Sequence, residues 1–313
     1  MRAAIELTEL TKTYVSGHWP QRVVRRGLSG LDLRVETGEV FGYLGPNGAG
    51  KSTTIRLLLD LIRPTVGTVR LLGRDPRANV ELRRRIGYLA GDFVVDGRQK
   101  AGECLAFLGD MRGGVPAARI IELADRLALD LNARIKSLSK GNRQKVGLVQ
   151  AFMHHPELLI LDEPTSGLDP LMQQTFLDMV TEAKTAGQTV FMSSHIMSEV
   201  EAVADRVAII REGRLVALDT VAGLRAGSFL QVRIDFAAPV QAEEFTGLPG
   251  ITGLAVEGTT LTCRVGGSPD ALIKAAARHT VTALRTDTQD LEELFHAYYA
   301  GEHSQTAADG RSA

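Results

Sequence analysis

The chain has 313 residues, of which 44% are hydrophobic and 23% are charged, and its formal net charge is −1. This composition excludes gross disorder and allows one large and one small domain. The balanced charge argues against a dedicated nucleic-acid binder, which needs a basic surface. Two isolated cysteines, Cys104 and Cys263, offer neither a disulfide framework nor a metal cluster. Because every apolar run is far shorter than the roughly 20 residues of a membrane span, we expect any work at a membrane to need a partner that crosses it.

Residues 1–217 alternate between short apolar runs and helical stretches, which predicts an α/β fold with a largely parallel sheet. The predicted strands are Glu39–Leu44, Leu158–Leu161, Thr189–Met192 and Arg206–Ile210, with a last hairpin turned at Gly213. Between residues 91 and about 140 the apolar residues recur at helical spacing, which indicates an inserted helical subdomain.

The pattern of apolar and polar residues changes after Gly227 and predicts a second domain of α+β type over residues 228–300. Its predicted elements are a strand Phe229–Phe236, a hairpin of Ile251–Val256 and Thr259–Val265, a helix Pro269–His279, a strand Val281–Thr286 and a closing helix Leu291–Tyr299. The tail 301–313 is small and polar, and we expect it to be disordered.

A glycine-rich loop follows the predicted strand Val40–Leu44 and opens the predicted helix Thr54–Ile62. Its residues are Gly45, Pro46, Asn47, Gly48, Ala49, Gly50, Lys51, Ser52 and Thr53. Strand, loop, lysine, hydroxyl and helix are the context of a P-loop, in which backbone N–H groups and a helix N-terminus bind phosphates. We expect the phosphates of ATP or GTP here, with Lys51 at the β- and γ-phosphates and Ser52 on Mg²⁺. A chance glycine-rich turn would lack this context.

Two acidic residues, Asp162 and Glu163, follow the apolar strand Leu158–Leu161 at the edge of the sheet where ligands bind. We expect Asp162 to hold Mg²⁺ and Glu163 to act as general base on the attacking water. His195 follows the next strand. A lone histidine is more often structural, but its place beside this pair favours a contact with the γ-phosphate.

The stretch Leu138-Ser139-Lys140-Gly141-Asn142 resembles the signature loop of the ATP-binding subunits of ATP-binding-cassette (ABC) transporters. The resemblance covers residues 1–225 and implies a P-loop ABC ATPase domain, with a RecA-like core, an antiparallel β part and a helical subdomain. It further implies a head-to-tail dimer in which Ser139, Gly141 and Asn142 of one subunit contact the ATP of the other.

Other family elements match residue by residue. Tyr14 is similar to the aromatic residue that stacks on adenine, with an ordinary strand tyrosine as the alternative. Asp169, in Ser166-Gly167-Leu168-Asp169, matches the loop that communicates between the paired ATP sites. His195 matches the switch histidine.

One departure concerns the loop after Ile86-Gly87-Tyr88-Leu89, where the family carries a glutamine that contacts Mg²⁺ and water. Here the sequence has Gly91 at or near that place, followed by Asp92. Asp92 is therefore a candidate metal ligand, with a water molecule as the alternative. Our hypothesis is that Asp92 couples the site to the membrane partner.

The signature sequence is most similar to those of exporters of the antibiotic and beta-exotoxin type, which pair a separate ATPase chain with a separate membrane chain. This resemblance implies an ATPase subunit that powers export of a drug, antibiotic or toxin-like molecule. It would work as a homodimer, or paired with a related ATPase subunit, on an integral membrane permease at the cytoplasmic face of the plasma membrane. The helical insert, near Phe93, Val94 and Val95, would provide the docking surface.

The alternative is a soluble non-transport ABC ATPase that acts on ribosomes or DNA. Such proteins carry two cassettes or a long coiled coil, whereas this sequence has one cassette, no heptad run and no basic excess. A GTPase is disfavoured by the signature loop and by the missing Asn-Lys-x-Asp motif. We therefore expect no nucleic-acid partner. The transported molecule is not predicted by the sequence.

Overall fold

The computed structural model describes residues 3–16, 23–95, 97–226 and 230–288 of the chain. The chain divides into two compact units, Met1–Asp219 and Thr220–Ala313. The predicted closing helix 291–299 and the predicted disordered tail 301–313 lie outside the described residues. Among the described residues, no helix is both long and apolar enough to cross a membrane.

The first unit contains nine strands and six α-helices within the residues described. In chain order they are β1 Ala3–Ser16, β2 Val23–Glu36, β3 Val40–Leu44, α1 Lys51–Leu58, β4 Val66–Leu71, β5 Ile86–Leu89, α2 Ala101–Met111, α3 Ala117–Arg126, α4 Lys140–Phe152, β6 Leu158–Asp162, α5 Pro170–Thr185, β7 Thr189–Ser194, α6 Met197–Glu201, β8 Arg206–Arg211 and β9 Arg214–Thr220.

The central sheet has six strands in the order β5-β6-β7-β3-β8-β9. Strands β5, β6, β7, β3 and β8 pair in parallel along this order. Every residue of β3, β6 and β7 is buried, as expected for parallel strands covered on both faces. In the pairing register Asp162 lies opposite Ser193 and Leu44 opposite Ser194, so these three strands end at one edge of the sheet.

A second, antiparallel sheet has the order β2-β1-β4. Its inward residues, such as Ile5 and Leu31, share one core with α1 and with Phe41, Tyr43 and Phe191 of the central sheet. The segment between β5 and β6 holds α2, α3 and α4. Helices α2 and α3 lie within the residues of the predicted helical insert, 91 to about 140, whereas α4 begins where that range ends.

Helix α1 differs from its predicted bounds, Thr54–Ile62. It begins at Lys51, directly after the left-handed Gly50, and ends at Leu58. The amide of Leu59 still bonds to the carbonyl of Ile55, but Asp60 has a φ of 57°, which stops the helix.

The second unit is of α+β type and contains α7 Val221–Ala226, β10 Leu230–Phe236, β11 Ile251–Glu257, β12 Thr260–Val265, α8 Asp270–Ala276 and β13 Val281–Thr288. Its four strands form an antiparallel sheet in the order β11-β12-β10-β13. Alternate residues of β10, namely Val232, Ile234 and Phe236, enter a core that α8 joins through Leu272. Helix α8 is shorter than the predicted Pro269–His279, because the chain turns again at Ala276 to reach β13.

Candidate functional site

The glycine-rich loop leaves the buried strand β3 and turns directly into α1. Gly48 and Gly50 have φ values of 84° and 114°, which side chains rarely adopt. A Cβ atom at Gly50 would also lie 2.8 Å from the carbonyl oxygen of Gly27. The loop borders a cavity of about 190 Å³ whose lining includes Gly27, Ser52, Thr53 and Glu163. A loop curled in this way at a helix N-terminus is an anion site.

Lys51 is a buried cation, with 5% of its surface exposed. Its ammonium group donates to the carbonyl oxygens of Gly45 and Pro46 and lies 3.0 Å from Oε1 of Glu163. That Oε1 is buried and has no hydrogen-bond partner among the described residues, so the ammonium is its ionic partner. The lysine is thereby held between the phosphate loop and the acidic strand end.

The acidic pair occupies the end of β6, as the sequence predicts. Asp162 accepts a 2.6 Å hydrogen bond from the hydroxyl of Ser193, which fixes the direction of its carboxylate. Glu163 has a φ of 48°, an uncommon value for a residue with a side chain. Its amide donates to the backbone oxygen and to the hydroxyl of Ser193, each at 3.2 Å. Strand β7 therefore positions both acids.

His195 lies beside Glu163. Its Nδ1 is 2.7 Å from Oε2 of Glu163, and because a carboxylate accepts, this nitrogen carries the proton. Lys51, Glu163 and His195 form a chain of contacts in which both carboxylate oxygens of Glu163 have a cationic or hydrogen-bonding neighbour.

A second cavity of about 420 Å³ adjoins the first and shares Ser52 and Glu163 with it. Its wall also carries the other predicted metal ligands and the switch histidine: Asp92, Asp162 and His195. A Cβ atom at Gly91 would lie 3.4 Å from Oδ2 of Asp162, so a side chain at this position would contact the carboxylate. Tyr88 lines the same cavity, and burial together with the charge of Asp162 raises the pKa of its phenol.

The residues present fit a magnesium ion bound with a nucleotide. In the described part of the chain there is no group of three or more His, Cys, Asp and Glu residues suited to a metal. Mg²⁺ at nucleotide sites takes one hydroxyl and one carboxylate from the protein, and phosphate oxygens and water complete its shell. Ser52 and Asp162, both on the second cavity, supply that pair.

Tyr14 lies at the edge of the phosphate loop. Its hydroxyl is 3.3 Å from Oγ1 of Thr53, its ring is 38% exposed, and the ammonium of Lys12 lies 5.3 Å from the ring centre. A Cβ atom at Gly27 would approach the ring to 2.8 Å. The tyrosine ring therefore occupies space that a side chain at position 27 would need.

The signature residues form a separate cluster at the start of α4. Ser139 is its N-cap, and its hydroxyl accepts from the amide of Asn142 at 3.2 Å. A Cβ atom at Gly141 would lie 2.3 Å from the carbonyl oxygen of Gly167, so the loop before α5 packs directly on the signature. Asp169 caps α5 through the amide of Met172. The lining of the two cavities includes neither Asp169 nor the signature residues.

Sequence reasoning missed Gln144, a buried residue of α4. Its side-chain amide donates to the carbonyl oxygens of Glu163 and Pro164, at 3.2 and 3.1 Å. It also missed Ser193 as the holder of Asp162, and Gly27. A glutamine on the buried face of a helix is a sequence signal for Gln144, whereas the contacts of Gly27 come from distant segments and leave no local pattern.

Known proteins resemble this chain in sequence and in fold. The family model described as "ABC transporter" matches residues 28–166. An uncharacterized ABC transporter ATP-binding protein of Nostoc sp. is 40% identical over 71% of this chain and 68% of its own length. The bacitracin transport ATP-binding protein BcrA of Bacillus licheniformis is 37% identical over 69% of each chain.

Two further matches extend the comparison. The Nod factor export ATP-binding protein I of Rhizobium etli is 30% identical over 93% of this chain and 92% of its own length. A solved structure of an ATP-binding subunit of an ABC transporter superposes with a TM-score of 0.62 at 30% identity, covering 71% of this chain and 92% of that one. The predicted fold class and the predicted family are thus confirmed: the chain belongs to the ABC transporter ATP-binding proteins and is an ABC ATPase that binds ATP.

Proposed function

We propose that this ATPase powers export of a drug, antibiotic or toxin-like molecule through a separate membrane-spanning partner, at the cytoplasmic face of the plasma membrane. ATP hydrolysis is supported by one observation: four side chains converge beside the phosphate loop, those of Lys51, Asp162, Glu163 and His195. Two relatives support a role in transport, because one is named for bacitracin transport and the other for Nod factor export.

In the proposed reaction the loop amides and Lys51 bind the phosphates of ATP, and Tyr14 stacks on the adenine. Ser52 and Asp162 would hold Mg²⁺, and the ion would supply positive charge beside the phosphate oxygens. Glu163 then accepts a proton from the attacking water. His195 donates to Oε2 of Glu163 and so orients the carboxylate. Oε1, which pairs with Lys51 in this structure, becomes available to the water once the ammonium of Lys51 binds the phosphates.

The signature cluster completes the site in a second copy. Ser139 and Gly141 begin α4, so their end of the helix carries unpaired backbone N–H groups and a positive dipole. Because the lining of the cavity at the phosphate loop of their own chain includes neither residue, we propose a head-to-tail homodimer in which they contact the γ-phosphate of the partner's ATP. Asp169, on the loop packed against Gly141, would transmit the state of one site to the other.

Asp92 is proposed to link the magnesium site to the membrane partner. It lines the same cavity as Asp162 and precedes the apolar residues Phe93 and Val94 of the insert. Val94 is 84% exposed, as a docking residue should be. Replacing Asp92 with alanine should reduce the stimulation of ATPase activity by the partner. Unchanged basal activity together with unchanged stimulation would remove Asp92 from this role.

The experiment compares steady-state ATP hydrolysis and transport in vesicles that hold the membrane protein encoded beside this chain. Glu163→Gln should keep ATP binding and lose nearly all hydrolysis and transport. Glu122→Gln on the exposed face of α3, where Glu122 pairs with Arg119, is the matched control and should behave as the wild type. Normal turnover in Glu163→Gln would refute the assignment of the base. Hydrolysis without any response to the membrane protein would refute transport.

A further inference from the structure

Helix α4, which begins with the signature, carries positive charge where a helix disfavours it. Its first residue is Lys140, Arg143 follows in the same stretch, and its first turn contains no acidic residue. Cations are favoured near the C-terminus of a helix and disfavoured at its N-terminus, where unpaired N–H groups already concentrate positive charge. The stability of α4 therefore gives no reason for Lys140, and an anion from outside the helix would balance its charge.

The ammonium group of Lys140 has no carboxylate partner within the described residues. The side chain is exposed, and its ammonium donates a 3.1 Å hydrogen bond to the hydroxyl of Ser166. Two neighbouring cations, Lys136 and Arg143, also form no ion pair in the part of the chain that the structure describes. Arg143 donates instead to the carbonyl oxygen of Leu138, at 2.7 Å. The start of α4 is therefore a patch of uncompensated positive charge.

Ser166 connects this lysine to the ATP site of its own chain. It lines the second cavity together with Asp162 and Glu163, and its amide donates to the carbonyl oxygen of Glu163 at 3.1 Å. A Cβ atom at Gly167 would lie 3.6 Å from Cγ and Cδ of Lys140, so the lysine stem runs beside the same loop. A neutral hydroxyl is a weaker acceptor for an ammonium than a charged oxygen, so a phosphate can displace it.

We propose that Lys140 is a further ATP-binding residue, whose ammonium leaves Ser166 when two chains associate and binds the γ-phosphate of the partner's ATP. The inference rests on the proposed head-to-tail homodimer, in which Ser139 and Gly141 contact that phosphate. Lys140 lies between these two residues in the chain, and its charge is the one that a phosphate lacks. In the chain alone, Ser166 holds the ammonium in place.

This contact makes association of the two chains selective for a nucleoside triphosphate. ADP ends at its β-phosphate and offers no acceptor at this place. Because the contact joins two charged groups, added salt weakens a dimer that has Lys140 more than a dimer without it. The same step links the two ATP sites, since the hydroxyl of Ser166 that one ATP releases lies on the cavity proposed to hold the other.

The test measures the dissociation constant of the dimer by sedimentation of Glu163→Gln chains with saturating ATP and Mg²⁺. Adding Lys140→Gln should raise this constant by about tenfold or more, because glutamine lacks the charge. Lys136→Gln removes the same charge from a nearby exposed position and should raise it by about threefold at most. Ser166→Ala removes the hydroxyl but leaves the ammonium, so it should also stay within about threefold.

Equal losses in Lys140→Gln and Lys136→Gln would indicate a general effect of charge and overturn the proposal. Equal losses in Lys140→Gln and Ser166→Ala would do the same, because they would indicate a contact that only holds the loop. A weaker affinity of the Lys140→Gln monomer for ATP would place the lysine at its own chain's nucleotide and also overturn it. With ADP, Lys140→Gln should have no effect on association, and a loss like that with ATP would exclude the γ-phosphate. A Glu163→Gln chain that does not dimerise with ATP would instead contradict the proposed homodimer.

Discussion

Replacing Gln144 with methionine tests whether α4 positions Glu163, the proposed general base. Gln144 is 3% exposed, and its amide is the hydrogen-bond donor to the carbonyl oxygen of Pro164. It also donates to the carbonyl oxygen of Glu163, which keeps a second donor in the amide of Ser166. Methionine has a similar length and volume but no donor, so the substitution removes two hydrogen bonds without opening a large cavity.

The magnitude follows from these two contacts. The carbonyl of Pro164 would be left buried without a partner in the described part of the chain, which costs about 1–3 kcal/mol. Loss of the bond to Glu163 adds about 0.5–1 kcal/mol, because its carbonyl keeps one donor. The apolar methionine offsets about 1 kcal/mol by burial. We therefore expect a net loss of about 2 kcal/mol in the free energy of unfolding of the first unit.

Catalysis should change in a characteristic way. The hydrogen bonds of the Gln144 side chain go to Glu163 and Pro164 and not to the phosphate loop, so KM for ATP should stay within about twofold. Displacement of Glu163 should lower kcat by about tenfold, equal to about 1.4 kcal/mol. Urea unfolding and steady-state ATPase assays measure the two effects. Gln174→Met on the exposed face of α5, where Gln174 bonds to Asp178, is the control and should shift stability by less than about 0.5 kcal/mol. An unchanged kcat in Gln144→Met would refute the positioning role.

Three further predictions concern the loop, the signature and a buried histidine. Lys51→Ala should abolish measurable ATP binding in a fluorescent-nucleotide titration, and retained binding would contradict the role of the loop lysine. Gly141→Ala should leave ATP binding by the monomer intact but strongly reduce hydrolysis, because the new methyl group would lie 2.3 Å from the carbonyl oxygen of Gly167; wild-type hydrolysis would count against it. Burial lowers the pKa of His154 to about 4 in the folded chain. Because the unfolded chain therefore binds the proton first, the free energy of unfolding should fall as the pH drops from about 6.5 to 4. The half-buried position of His154 reduces the effect to about 2 kcal/mol, and His154→Gln, compared with the wild type by urea unfolding at each pH, should lack this part of the loss.

The sequence was most informative where chemistry and local pattern coincide. The P-loop residues are consecutive and follow an apolar strand, and Asp162 and His195 each end or follow such a strand. Parallel strands bring their carboxyl ends to one edge, so these residues could be expected to meet before the fold was known. The structure places them around two adjoining cavities.

Contacts between distant segments could not be predicted in this way. Gly27 accommodates Tyr14 because strands β1 and β2 pair, and Gln144 reaches Glu163 because α4 crosses the end of β6. The early end of α1 also escaped the pattern, because the leucines beyond Leu58 continue the apolar spacing while Asp60 turns the backbone.

Each ATP site is proposed to need the signature of a second copy, and nucleotide-driven dimerisation tests this requirement most directly. Glu163→Gln, mixed with ATP and Mg²⁺, should elute in light-scattering chromatography at twice the monomer mass, with one ATP bound per chain. Adding Gly141→Ala to the same chain should return it to the monomer mass while ATP stays bound. A Glu163→Gln chain that binds ATP and Mg²⁺ but remains monomeric would contradict the account.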